Sequence, residues 1–408
     1  MRKYSCVIAL SVILAGCTSI ANIVNPPTAT ETPTAIPPIT DTPFPTNTFT
    51  PEPTLTATST PEPTATSIPT EGPTPSGGAK WLAFSVVKRV SGEYQSLGIF
   101  RMTVDASALE PITEPGYTLL GVSPSGLRML ASFGQSLYVM GIDASNRRLL
   151  TESFYDLGDH AAYWTSDEHK IVFIEGDGTE NVVLLGHPDV SETTRISQEG
   201  FNPIEVYPTH DANGVFWSSG TCFAKGDCDR EALMWSSMDG TLHQTMTDNI
   251  NGPITSPLGD RIVYATTDPQ GRNRLEFANL DGSDSRMVFA FGNHYMDYDW
   301  SPEGNRLALI VTDRSDYSGT LLTYRYYVVN NVQVRVDELP WTLRTASELS
   351  WSNDGLQILF WGTGQDDSGF QIFMKTYDIY KARMFELPGW DQFSSTDYVY
   401  IPHVYWVP

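Results

Sequence analysis

One arrangement recurs along this chain and constrains its fold more than any other feature. It consists of a short apolar or aromatic lead, a Ser-Pro-x-Gly turn or a close variant, and then an unbroken apolar run. It reads GVSPSGLRMLASF from Gly121, YWTSDEHKIVFIE from Tyr163, YPTHDANGVFWSS from Tyr207, ITSPLGDRIVYAT from Ile254, DWSPEGNRLALIV from Asp299 and SWSNDGLQILFWG from Ser350. The spacings are 42, 44, 47, 45 and 51 residues. Pro124, Pro257 and Pro302 fix φ for a tight turn, and Gly126, Gly259 and Gly304 relax its backbone. The run that follows each turn is apolar throughout. A strand buried on one face would alternate, so these runs read as strands packed on both faces.

Two further strands follow in each unit. The third reads QSLYVMGID, NVVLLGHPD, EALMWSSMDG, RLEFANLDG, TYRYYVVNN and FQIFMKTYD, often ending in a hairpin-type turn. A weaker fourth strand closes the unit. Four antiparallel strands at a period of 40 to 50 residues are the mark of a β-propeller, an all-β fold. The first unit, from Lys80, supplies a second, third and fourth strand but lacks an innermost one. At the other end HVYWVP, 403–408, matches the innermost strand and stops. The C-terminal strand is therefore expected to pair into the N-terminal blade and close the ring, removing two exposed edges. Six internal units and the shared one predict seven blades, with six as the alternative if one unit is miscounted.

The first residues form an address. MRKYSCVIALSVILAGCTS has a basic start and a short apolar stretch, a secretory signal rather than a membrane span. LAGC, 14–17, resembles the lipobox of bacterial lipoproteins. The resemblance implies removal of residues 1–16 and lipidation of Cys17, with anchoring on the outer face of the bacterial membrane, at the cell surface or in the periplasm. An ordinary signal with an incidental cysteine is the other reading. From Pro26 to Pro75, 31 of the 50 residues are Pro or Thr. Such a segment lacks apolar mass for a core, so residues 17–78 read as an extended disordered stalk, with or without O-glycans. The propeller is expected over 79–408.

The repeat is similar to that of the TolB-like propellers, which carry a WSPDG turn followed by a LAF-like strand. That resemblance covers essentially all of 79–408 and implies a periplasmic propeller, usually of six blades. Asp167–Glu168 and His210–Asp211 depart from the turn pattern in two units.

The chain has 25 basic and 48 acidic residues, a formal net charge of −23, which excludes nucleic acid as a natural partner. Cys222 and Cys228 are expected to form a disulfide shaping an exposed loop, because an exported protein meets oxidising conditions. A zinc pair would need companion ligands, and none lies nearby in sequence. His160, His294 and His403 fall near inner strands and mark a candidate ligand site at one channel mouth. Some propeller lyases of oligogalacturonate hold a metal with channel histidines, so the competing readings are a metal site for acidic sugars and three unrelated loop histidines. Acidic loops at 313–319 and 364–369 lack a calcium-loop register. No G-x-S-x-G elbow and no phosphate loop occurs. Trp341 and Trp390 are candidate surface aromatic contacts. The expected function is a lipid-anchored, monomeric binding or scaffold protein for an envelope protein, peptide or glycan, with no cofactor. The alternative is a propeller-type polysaccharide lyase or hydrolase with a metal at the channel mouth.

Overall fold

The computed structural model describes residues 79–408 except 92, 157–159, 225–226, 248–249, 269, 271, 293–294, 313–318, 328–331, 342–345, 367–368, 379–382, 388–389, 394–398 and 408. The signal segment, Cys17, the stalk, His294 and most of the acidic loop at 313–319 lie outside the described residues.

The described chain is a succession of antiparallel sheets. The first contains β1 (Trp81–Val90), β2 (Glu93–Thr103) and β3 (Leu109–Pro111). The second is β4 (Tyr117–Val122), β5 (Arg128–Phe133), β6 (Ser136–Gly141) and β7 (Arg148–Thr151). The third is β8 (Ala162–Trp164), β9 (Ile171–Glu175), β10 (Val182–Gly186) and β11 (Thr193–Arg195). The fourth is β12 (Pro203–Pro208), β13 (Gly214–Ala224), β14 (Asp227–Ser237) and β15 (His243–Thr247). The fifth is β16 (Ile250–Thr255), β17 (Arg261–Thr267), β18 (Asn273–Asn279) and β19 (Arg286–Gly292). The sixth is β20 (Tyr295–Trp300), β21 (Arg306–Thr312), β22 (Gly319–Tyr327) and β23 (Val332–Trp341). The seventh is β24 (Ala346–Trp351), β25 (Gln357–Asp366), β26 (Gly369–Asp378) and β27 (Arg383–Leu387). The chain ends in β28 (Val399–Tyr400) and β29 (Val404–Val407).

Six of these sheets are four-stranded blades of consecutive strands, and the first is completed by the chain's end. Both β28 and β29 pair antiparallel with β1, with Trp81 opposite Val407 and Phe84 opposite Val404. The tail also fastens to both flanking blades. Tyr405 Oη donates to the Leu120 carbonyl at 2.6 Å, and Trp406 Nε1 donates to the Ser350 carbonyl at 3.3 Å. The closure expected from HVYWVP is therefore present.

The apolar mass lies between adjacent blades, and the second strands show why their sequences are continuous. In β9, Ile171 and Phe173 join a cluster with Leu130, Leu137 and Trp164 of the second and third blades. The alternate residues Val172 and Ile174 join another with Ile204, Val206 and Trp217 of the fourth. In β5, Met129 and Leu130 are fully buried and likewise go to different clusters. Each strand of this kind is apolar on both sides because each side meets a neighbouring blade.

The recurring turns form one end of the barrel of blades. In the second, fifth, sixth and seventh units, Gly126, Gly259, Gly304 and Gly355 hold φ between +66° and +73°. The two departing units make the same turn with Glu168 at +58° and Ala212 at +54°. Glu168 compensates with its side chain, which accepts from Ser125 Oγ at 2.8 Å and lies 3.6 Å from Arg128 of the preceding blade. Neighbouring turns also touch through His210 N donating to Thr255 Oγ1 at 2.9 Å.

A second turn family joins the third and fourth strands. Asp105, Asp143, Asp189, Asp239 and Asp281 each accept, through Oδ1, the N–H of the Ser or Thr two residues on. The residue between adopts a left-handed backbone: Ala106, Ala144, Val190, Gly240 and Gly282. Both turn families lie at one end of the blades, here called the turn end. The hairpins between second and third strands lie at the other, the hairpin end.

Candidate functional site

The innermost strands of the blades carry several polar side chains. On β12, Glu205 is fully buried and pairs with Arg230 of β14. Arg230 Nε donates to Glu205 Oε2 at 2.8 Å, Nη2 donates to Oε1, and Nη1 donates to the Cys228 carbonyl at 3.3 Å. The residue opposite Arg230 on the intervening β13 is Gly220, which places no side chain in the way. Burial alone would raise the Glu205 carboxyl, but the Arg230 bonds and charge outweigh it and hold it below the usual range.

Beside this pair stand Tyr207, Tyr163 and His160. The His160 ring lies 5.1 Å from Tyr207 and 5.9 Å from Tyr163, and its Nδ1 hydrogen-bonds the Tyr163 hydroxyl. The His160 carbonyl accepts from Val206 N at 2.8 Å, tying the entry of the third blade to the fourth. Burial, then the Glu205 charge, pushes the Tyr207 phenol well up and keeps it neutral.

Across the fifth to seventh blades the polar residues are also fasteners. Tyr298 accepts from Ala265 N at 3.2 Å and donates to the Gly252 carbonyl. Asp297 Oδ2 accepts from Leu349 N at 2.6 Å. Asp299 is enclosed by protein yet keeps an edge open to water, and burial raises its carboxyl to about 7. Its charge therefore changes near neutral pH.

The expected histidine site is not assembled by the described residues. His160 sits against Tyr163 and Tyr207, and His403 lies with its ring 6.2 Å from Tyr405, while His294 is outside the description. Among the described residues no three His, Cys, Asp or Glu side chains are grouped to hold a metal. His160 Nδ1 engages Tyr163, and the nearby Glu205 is paired with Arg230.

Trp390 is not a surface contact. It is 4% exposed, in a 3-10 turn (Trp390–Phe393), and packs 5.0 Å from Phe84 and 5.9 Å from Phe393. Its length of apolar surface fills the seam where the chain's end meets the first blade. Trp341 closes β23 opposite Gly319, with its side chain outside the description. Cys222 and Cys228 do form a disulfide, but in strands rather than in a loop. They face each other across β13 and β14, which run past the last residues paired by β12 and β15.

The two ends of the blades differ in what they expose. Among the described residues, the exposed large apolar side chains at the hairpin end are aromatic: Tyr94, Phe133 and Phe223, the last 70% exposed. At the turn end they are aliphatic, among them Leu127, Leu242, Leu258 and Leu356. Sequence reasoning missed this split and the Glu205–Arg230 pair, because neither follows from periodicity along the chain.

No family model matches this sequence, and no curated protein does. Among solved structures, oligogalacturonate lyase in complex with manganese superposes with a TM-score of 0.52 at 13% identity, over 75% of this chain and 85% of that one. Oligogalacturonate lyase from Vibrio parahaemolyticus gives 0.51 at 11% identity, over 76% and 86%. TolB from Acinetobacter baumannii superposes more loosely, at 0.42 and 11% identity over 76% and 80%. Likeness at this identity is one of fold: the chain is a β-propeller of four-stranded antiparallel blades.

Proposed function

We propose that this protein is a lipid-anchored extracytoplasmic binding protein, in which Cys17 fixes the chain to the membrane's outer face and the Thr/Pro-rich stalk presents the propeller to an envelope protein, peptide or glycan. The observation that carries the reading is the use of the inner strands' polar groups. Glu205, Asp297, Tyr298 and Tyr405 bond to neighbouring strands and blades, which makes the ring a rigid support for what its two ends expose. The exposed aromatic and aliphatic side chains at those ends are of the kind that mark contact surfaces. The Cys222–Cys228 disulfide supports a compartment outside the cytoplasm.

The test is expression of the full chain in a bacterial host with fractionation and mass measurement of its N-terminus. The expected result is a membrane-bound protein starting at a lipidated Cys17, released by Cys17→Ala. An unprocessed cytoplasmic protein with a free thiol contradicts the reading. The same preparation tests the enzyme alternative: a stoichiometric transition metal, lost on substituting His160, His294 and His403 together, with turnover of an acidic polysaccharide, would replace binding by catalysis.

A further inference from the structure

We propose that a groove at the hairpin end of the third blade binds a neutral saccharide, with the Phe201 ring as its platform and Glu180, Arg195 and Glu199 taking its hydroxyls. This rests on the display reading for the ligand's being met outside the cell, and on the groove's own chemistry for its class. The groove encloses about 470 Å³, within the usual range for binding sites. It lies where the hairpin between β9 and β10 meets the segment leading from β11 to β12. Two asparagines fix its walls. Asn181 Oδ1 accepts from Gly178 N at 2.8 Å, and Nδ2 donates to the Pro203 carbonyl at 2.9 Å. Asn202 Oδ1 accepts from Asn181 N at 2.9 Å, and Nδ2 donates to the carbonyls of Gly178 at 3.2 Å and Gly220 at 2.9 Å. These bonds tie the hairpin, the connecting segment and β13 together, so the groove is set before a ligand arrives.

Phe201 is half-buried, with its ring 6.0 Å from Trp217 and nearly perpendicular to it. The rest of its surface lines the groove. Gly200, before it, holds φ +85°, and a Cβ there would meet nothing within 4 Å, so the backbone beside the ring borders open space. The apolar C–H face of a pyranose would cover such a ring favourably. The polar groups are of both kinds. The exposed Glu180 carboxylate has no partner among the described residues. Arg195 and Glu199 stand 4.0 Å apart and open to water, a pair weak enough for ligand hydroxyls to displace. Asp177, beside the groove, is already bound to Thr179 N at 2.9 Å and Oγ1 at 2.7 Å. Two lining carboxylates against one guanidinium leave a net negative charge, which repels an acidic sugar. A hydroxyl both donates and accepts, so it uses carboxylates and guanidinium alike. A cation would use the carboxylates alone and meet the charge of Arg195.

Calorimetric titration of the full chain with maltohexaose, cellohexaose and N-acetylchitohexaose tests the assignment, beside hexagalacturonate and the peptide Gly-Lys-Gly-Lys-Gly. At least one neutral saccharide is expected to bind saturably with Kd below about 1 mM, and hexagalacturonate about tenfold more weakly or worse. Glu180→Ala, at an exposed position, should weaken that saccharide about tenfold without moving Tm. Phe201→Leu, which keeps apolar mass against Trp217 but removes the flat ring, should weaken it about fivefold. Leu127→Ser at the turn end should leave it unchanged. Absence of saturable binding by all three neutral saccharides, equal binding of hexagalacturonate, or an unchanged Glu180→Ala variant overturns the assignment. A lysine peptide bound more tightly than every saccharide, and lost with Glu180→Ala, would make this a site for cationic peptides and also overturns it. Such failures leave the display reading intact if Cys17 is lipidated, and saccharide binding by a chain whose Cys17 is not lipidated would defeat the display reading alone.

Discussion

A left-handed backbone at a residue with a Cβ costs about 1–2 kcal/mol. Val190 adopts φ +58° in a turn where the fourth and fifth blades use Gly240 and Gly282. Val190→Gly is therefore expected to stabilise the protein by about 1 kcal/mol after the entropy of the unfolded glycine is counted, read as a rise in Tm. The Glu205–Arg230 pair makes the opposite kind of demand. Arg230→Met leaves a buried carboxylate without its partner and is expected to cost about 3–5 kcal/mol, much of it recovered by adding Glu205→Leu. Its pH sign follows from the depressed Glu205 carboxyl: this stability is present above the ordinary carboxyl range and is lost as pH falls through the lowered value. Asp299 has the reverse sign. Its carboxyl rises from 3.8 to about 7, so the folded state holds that proton more tightly, and its contribution is full below 3.8 and lost as pH rises to about 7. Asp299→Asn should flatten the Tm profile across that window; a profile unchanged by the substitution contradicts the assignment. At this scale the sequence misled most. Trp390 lies in a segment without periodicity, so nothing in its neighbours reveals that Phe84, about three hundred residues earlier, covers it. Glu205 and Arg230 look like ordinary surface charges until β13 is seen to present Gly220 between them.

Among elements, the second strands of the blades carry the stability. Phe173 is fully buried between the second and third blades, and Phe173→Ala is expected to cost about 3–5 kcal/mol in denaturant unfolding. Thr193, exposed on the outermost β11, should tolerate alanine within about 0.5 kcal/mol. The disulfide closes a loop of sequence separation 6, and its loss through Cys222→Ser with Cys228→Ser is expected to cost about 2 kcal/mol by loop entropy. This level was the most legible in the sequence. The continuous apolar runs stated that both faces of β5, β9 and β17 are covered, and Ser-Pro-x-Gly stated where β5 and β17 begin. The placement of the cysteines was read less well, because TCFAKGDC looks like a loop when the strands flanking it are judged by the length of strands in other units. Here β13 and β14 are 11 residues each, against 6 for β5 and β6.

For the whole molecule, the governing property is that each blade is stable only between two others. The same reasoning that reads the repeat as a ring required its first and last units to share a sheet, and the tail strand is found on β1 with bonds to Leu120 and Ser350 on either side. What the ring binds was not legible at any scale of the sequence. Leu127 and Leu356, exposed directly after their turn glycines, hold the same place in their repeats, and that place specifies no partner. The stalk, by contrast, should add nothing to the ring's stability. The most direct test of the account is thermal unfolding of the full chain beside two deletions, of residues 398–408 and of residues 30–70. Loss of the tail strand is expected to lower Tm sharply or abolish a cooperative transition, and loss of the stalk segment to leave Tm nearly unchanged. A tail-deleted protein that melts like the full chain would contradict the closed ring.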